Sequence, residues 1–294
     1  MTGAEHFASP PEWQWWILGY FFFGGIAGGS YALGTLLRLV GNPRDQAASR
    51  IAFIVSFVAL IPCPIFLGLD LGQPLRFWHM LVDASGGGIA IKPWSPISLG
   101  SWALLIFGLF SFVSFVVALA EGGQQRSGGL AAAFRGALGT VWTIIGAVFG
   151  LFICGYTGVL LAVSNQVVWS DAGWALGGMF LASALAGSAA VLLLFLRSRR
   201  DADTDTEVRV ALADRYFVLL EVLLIVVFLI SLALAGTIGK VLGVWIVLWV
   251  IVVLGLAAAF FATRLRAWPP VAAPLLALLG VLALRALVIF SAQT

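Results

Sequence analysis

The sequence predicts an all-α integral membrane protein, with eight transmembrane helices in two four-helix bundles. Three observations carry this expectation. Of 294 residues, 62% are hydrophobic and 10% charged, with a mean hydropathy of +1.07; a water-soluble domain reaches such a balance only by exposing a large apolar surface. The apolar residues gather into runs of about 20, the length a helix needs to cross roughly 30 Å of hydrocarbon. These runs lack the apolar–polar alternation of a transmembrane β-barrel.

The expected spans are Trp16–Val40, Ala52–Leu71, Ile97–Ala120, Leu138–Val163, Ala175–Leu196, Phe217–Ile238, Val241–Ala262 and Pro274–Phe290. Span one follows a leader, Met1–Glu12, that has no basic region or cleavage signal, and is therefore expected to insert uncleaved. Its glycines Gly24, Gly25, Gly28 and Gly29 form a small-xxx-small surface for close helix packing. Span two ends at Asp70 and Gly72, and Pro74 suits the first turn of a further, interfacial helix. In that helix Leu75, Trp78 and Val82 share an apolar stripe, while Arg76, His79 and Asp83 follow a spacing of three and four on another face. Span three opens with Ser98, Ser101 and Trp102, and span four carries Tyr156 and Thr157 before Asn165. Span five leads into a charged connection, the expected boundary between the bundles. Spans six and eight hold one ionisable residue each, Glu221 and Arg285; a packing role and a proton path are both open to them. Trp13, Trp15, Trp16, Trp94 and Trp169 suit an aromatic belt at the interfaces.

Orientation follows from the positive residues. The odd connections carry Arg38, Arg44, Arg50, Arg126, Arg135, Arg197, Arg199, Arg200, Arg209, Arg215, Arg264 and Arg266, and the even side carries only Arg76, Lys92 and Lys240. Both termini are therefore expected outside. The net charge of +3 is spread as an orientation signal and implies no nucleic acid partner.

Missing motifs narrow the chemistry. Cys63 and Cys154 lie within apolar spans without a CxxC partner, so no iron–sulfur cluster or thiolate zinc site is expected from this chain alone. The only histidines, His6 and His79, lie in the leader and an outer connection, which rules out a bis-histidine haem within the bilayer unless another subunit supplies ligands. Walker, Rossmann and nucleophile-elbow patterns are absent. Any redox role must use a mobile carrier.

Depth then brings the remaining polar residues together. Tyr20, one to two turns into span one, Asp70 at the end of span two, the start of span three, and Tyr156 roughly 10 Å below Asn165, at about 1.5 Å per residue, share one level. A quinol that gives up two electrons must also lose two protons, so its site needs an apolar slot, hydrogen-bonding hydroxyls and an ionisable route to water. Tyr20 and Tyr156 supply hydroxyls; Asp70 and His79 supply proton acceptors. The sequence leaves open whether Asp70 pairs with Arg76 or stands free.

Five segments in order, EWQWWILGYFFFGGIAGGSYALGTLLRL, LDLGQPLRFWHML, SPISLGSWALLIFG, GYTGVLLAVSNQVVWSD and MFLASALAGSAA, resemble successive motifs of the NrfD/PsrC family, the membrane subunits of polysulfide-reductase-type oxidoreductases. The resemblance covers spans one to five. It implies a multi-pass subunit of the bacterial inner membrane with both termini periplasmic and no haem, iron–sulfur cluster or metal of its own. It also implies an exchangeable menaquinone or ubiquinone at a site near the outer surface, a ferredoxin-like iron–sulfur subunit docked over that site, and a catalytic molybdopterin-type subunit beyond. Carried over by motif, Tyr156 of GYTG matches a quinone-bonding tyrosine and Asp70 an acid at the same site, while Tyr20 stands where some members have histidine. The expected site is then Asp70 and His79 as proton-handling groups, with Tyr20, Arg76, Tyr156 and Asn165 binding the quinone. In this division residues 1–196 hold the leader, first bundle, quinone site and span five, 197–216 the charged cytoplasmic connection, and 217–294 spans six to eight. The rival classes are a secondary transporter or proton-translocating protein, which would carry inverted repeats and paired broken helices, and a structural anchor without a quinone site.

Overall fold

Apolar runs this long can satisfy their backbone polar groups in lipid only by forming helices, and a computed structural model of the chain bears this out. The structure describes residues 13–83, 88–122, 129–199, 203–261 and 269–293; the leader with His6, and Arg126, Arg200, Arg264 and Arg266, lie outside them. Eight helices among the described residues are long and apolar enough to cross a bilayer: α1 (Trp15–Leu39), α2 (Pro43–Asp70), α3 (Pro96–Gly122), α4 (Ala137–Ala162), α5 (Trp174–Ser198), α6 (Thr204–Ala235), α7 (Ile238–Phe260) and α8 (Ala272–Ser291). The extended structure among the described residues is a single bridge, Val82 to Ile89.

Two helices differ from their expected bounds for local reasons. Helix α2 starts nine residues early, at a 3-10 turn (Pro43–Asp45) closed by reciprocal capping between Asn42 and Asp45. It is interrupted at Ile61, because Pro62 has no N–H to donate to the carbonyl four residues back. Helix α6 starts at Thr204, so most of the charged connection is itself helical. Asp205 and Glu207 in its first turn suit the positive end of the helix dipole. Gly236, at φ 79°, ends α6 in the left-handed conformation that glycine adopts without a Cβ penalty.

Helix α1 sits at the centre, packed against α2, α4, α5 and α8; α2, α3 and α4 pack in succession, as do α5, α6, α7 and α8. The glycine surface of α1 makes this possible. A Cβ on Gly28 would overlap the Gly150 carbonyl of α4 and stand 2.7 Å from Cys154 Sγ, so only glycine lets these backbones touch.

The arginine-rich side is tied by polar groups. Asp45 is fully buried and accepts hydrogen bonds from Thr206 Oγ1 at 2.5 Å and Arg209 Nη2 at 2.7 Å, joining α2 to α6. Arg38 of α1 pairs with Glu121 of α3, and Arg50 Nη1 donates to the Glu121 carbonyl at 2.8 Å.

Trp169 corrects the belt expectation. It is fully buried, stacks on Trp13 at 5.2 Å and donates its indole N–H to the Val288 carbonyl at 2.7 Å. It therefore locks the short helix Val167–Ala172 to the start of α1 and the end of α8.

Candidate functional site

Tyr20 and Tyr156 come together on the side where α1 and α3 begin. Tyr20 is buried among α1, α2 and α4: its ring edge, Cys63 Sγ and the Ile153 side chain all stand 3.6–3.8 Å from where a Cβ on Gly24 would lie. Tyr156 lies within electrostatic reach of it. The Tyr156 ring stacks on Phe152 at 5.5 Å, and its hydroxyl donates a 2.7 Å hydrogen bond to the carbonyl of Pro96, the first residue of α3. Gly100, one turn further, makes the slot: a Cβ there would overlap the Tyr156 ring and hydroxyl.

Asp70 closes α2 and is half-buried. No hydrogen bond or ion pair joins it to Arg76 among the described residues, which answers the question the sequence left open. Arg76 and His79 are exposed, with the His79 ring edge-on to Trp78 at 3.9 Å. Their segment, Pro74–Met80, is a 3-10 helix with no buried residue. With three residues per turn, Arg76 and His79 share one face and Leu75 and Trp78 another, but the expected apolar stripe is neither buried nor continued to Val82. Leu75 is 89% exposed, and Val82 and Asp83 lie beyond the helix, where Val82 bridges to Ile89. That hairpin is pinned to α3, because the Ala90 carbonyl accepts from Trp102 Nε1 at 3.1 Å and from Ser98 Oγ at 3.3 Å. The connection between α2 and α3 is thus held against the first turns of α3, the helix whose Pro96 carbonyl accepts from Tyr156. Asn165 is exposed in the turn after α4.

A second set of buried polar residues lies deeper. Arg285 is fully buried and donates to Ser183 Oγ at 2.8 Å and to the carbonyls of Phe21, Phe180 and Val281 at 3.2, 3.3 and 3.4 Å. Glu221 lies within electrostatic reach of Ser183 and Arg285. Sequence reading singled out Arg285 and Glu221 but missed Ser183 and Asp214. The signal for Asp214 was its place midway in a series of acids seven residues apart, Glu207, Asp214 and Glu221. Among the described residues no group of three or more His, Cys, Asp or Glu could hold a metal ion.

A family model described as polysulphide reductase, NrfD, matches residues 5–294. The chain belongs to the NrfD family. The NrfD match includes α6 to α8, where the motifs alone carried no resemblance. Among curated proteins the chain is similar to a selenate reductase subunit of Mesobacillus selenatarsenatis, 28% identical over 99 residues. That segment is 34% of this NrfD chain and 21% of the relative, so the chain spans about a fifth of the relative's length.

Chemically, this NrfD protein offers two phenol hydroxyls in buried surroundings and, at the end of α2, one half-buried carboxylate. The Tyr156 proton is directed at Pro96, which leaves the lone pairs of its oxygen to accept from a donor.

Proposed function

We propose that this NrfD protein is the membrane subunit of a multi-subunit oxidoreductase, exchanging electrons and protons between a membrane quinone pool and an iron–sulfur partner on the outer side. The observation that carries this reading is the meeting of Tyr20 and Tyr156, both buried, with the Tyr156 hydroxyl bonded to the Pro96 carbonyl at the start of α3; Asp70, at the end of α2, stands half-buried without an ion pair. The hydroxyls of Tyr20 and Tyr156 hold the head group of a menaquinone or ubiquinone. Because Tyr156 already donates to Pro96, its oxygen is matched to the O–H of the reduced form. On oxidation of the quinol two electrons pass to the iron–sulfur partner and two protons are released; Asp70 accepts a proton at its carboxylate, and His79 with Arg76 connects it to outer water. Asn165 borders the entrance from the α4 end.

The same reading places both termini outside and divides the helices into bundles α1–α4 and α5–α8, with the sequence boundaries 1–196, 197–216 and 217–294. The arginine distribution supports the orientation, and the packing of successive neighbours supports the bundles. The partners are a ferredoxin-like iron–sulfur subunit and a catalytic molybdopterin-type subunit in a bacterial inner membrane; the likeness to a selenate reductase subunit is consistent with a reductase complex. A photoreactive short-chain quinone tests the site in the purified complex. Crosslinks should fall on the segments around Tyr20 and Tyr156. Crosslinks confined to α6–α8 would refute the assignment.

A further inference from the structure

We propose that Glu207, Asp214 and Glu221 form a proton-loading file along α6, entered from the arginine-rich side and closed at its deep end by Arg285 and Phe228. Residues seven apart on a helix stand nearly in line, about 10.5 Å between successive members. Exposure falls along this line: the Glu207 side chain is 19% exposed and paired with Arg197 at 3.1 Å, whereas Asp214 is 1% and Glu221 2% exposed. The next position in the series is Phe228, fully buried, so the acids stop inside the protein.

Asp214 is not tied off as a structural residue would be. Buried carboxylates kept for packing have their oxygens satisfied, yet Asp214 Oδ1 is buried with no hydrogen-bond partner. Glu221 borders a cavity of about 10 Å³ that is also lined by Val218, Ala186, Gly255 and Gly280, enough for about one water molecule. Val218, four residues beyond Asp214 and three before Glu221 on α6, also lines this cavity, so the space opens on the face of α6 that carries the acids.

The charged groups around the file are few. Helix α5 contributes Arg197 at the mouth, within electrostatic reach of Asp214, and Ser183 at the depth of Glu221. Helix α8 contributes Arg285; the residues of α7 that line the cavity are Val252, Gly255, Leu256 and Ala259, none of them charged. Arg215 turns away to cover the Phe260 ring at 4.3 Å.

The proton moves from water to the Asp214 carboxylate and on along the face of α6 to the Glu221 carboxylate beside the cavity. Only O–H bonds change, and no oxidant is needed. A guanidinium does not release its proton, so Arg285 ends the file and acts by its charge. Arg285 and an ionised Glu221 balance; once Glu221 is loaded, an uncompensated positive charge remains on a guanidinium bonded to the Phe21 carbonyl, next to Tyr20. Loading on one side is thereby felt at the tyrosine site on the other. Only this last coupling rests on the quinone reading.

Two measurements on the intact complex test the file. Dicyclohexylcarbodiimide attacks protonated carboxyls in apolar surroundings, and mass spectrometry should place its adduct on Glu221 at least tenfold above exposed acids such as Asp205. Loss of the adduct by at least fivefold is expected in Asp214→Asn. An unmodified Glu221 in wild-type complex would overturn the proposal without requiring any variant to fold. In liposomes, Glu221→Gln should abolish proton uptake from the arginine-rich side during turnover while at least half of quinol oxidation persists, and Glu221→Asp should restore uptake in part. Undiminished uptake in Glu221→Gln would equally overturn it. Adduct formation at Glu221 in a complex that oxidises no quinol supports the file and refutes the quinone reading.

Discussion

Replacing Tyr156 by Phe separates a structural role from a binding role, because the structure makes the structural loss small. The change deletes one neutral hydrogen bond, 2.7 Å to the Pro96 carbonyl. That carbonyl sits in the first turn of α3 and keeps its own acceptance from the amide four residues on, so no acceptor is orphaned. Phenylalanine also keeps the stack on Phe152 and fills the slot at Gly100. The cost to the fold is therefore at the low end for a hydrogen bond, about 0.5–1 kcal/mol, a fall in melting temperature of no more than about 3 °C. If the Tyr156 oxygen holds the quinol, the same deletion removes about 1–1.5 kcal/mol from the complex with substrate, roughly 5- to 12-fold in affinity. Steady-state oxidation of a short-chain quinol by the purified complex, with melting followed in parallel, measures both. The expected result is a raised KM at nearly unchanged melting temperature. A kcat/KM within twofold of wild type would refute contact with the substrate, and loss of assembly would refute the claim that the bond to Pro96 is minor.

Three further outcomes follow from the same geometry. Gly100→Ala places a methyl where the Tyr156 ring and hydroxyl now lie, so it should raise the quinol KM at least as much as Tyr156→Phe, and the double variant should be no worse than the stronger single one; full additivity in that cycle counts against a shared slot. Asp70→Asn removes a carboxylate that holds no ion pair, so quinol turnover should fall at least tenfold while complex yield and melting temperature hold; a fall in stability with turnover intact would make Asp70 structural. Gly28→Val forces a side chain into the α1–α4 crossing at Gly150 and should destabilise the protein by about 1–3 kcal/mol, read as earlier thermal loss of helicity in detergent; a variant as stable as wild type would mean the crossing is loose.

The spans were legible because hydrophobic length is a property of the sequence alone, and the α1 glycines because close helix crossings demand small residues. What sequence could not supply was rotation and partner. Asp70 and Arg76 are close enough along the chain to suggest an ion pair, but the 3-10 geometry of Pro74–Met80 carries Arg76 into solvent. Leu75 and Trp78 share a face in the 3-10 helix as they would in an α-helix, but the bridge at Val82 ends the stripe before its third member. Trp169 has the composition of a belt residue, yet its indole partner is a carbonyl 119 positions away. Ser183 likewise carries no signal of its own; its role exists only because α8 brings Arg285 against α5.

The central place of α1 has a consequence for biogenesis. Of the eight helices this one is made first, yet one of the hydrogen bonds that fix it comes from Arg285, 264 residues later. Until α8 is made, a glycine-lined helix with poor lipid contacts and open backbone approaches must wait in the bilayer with its final neighbours missing. Chains cut short before α8 should therefore insert and still be recognised as unfinished by membrane quality control, so that the arrival of α8 acts as the bundle's own certificate of assembly.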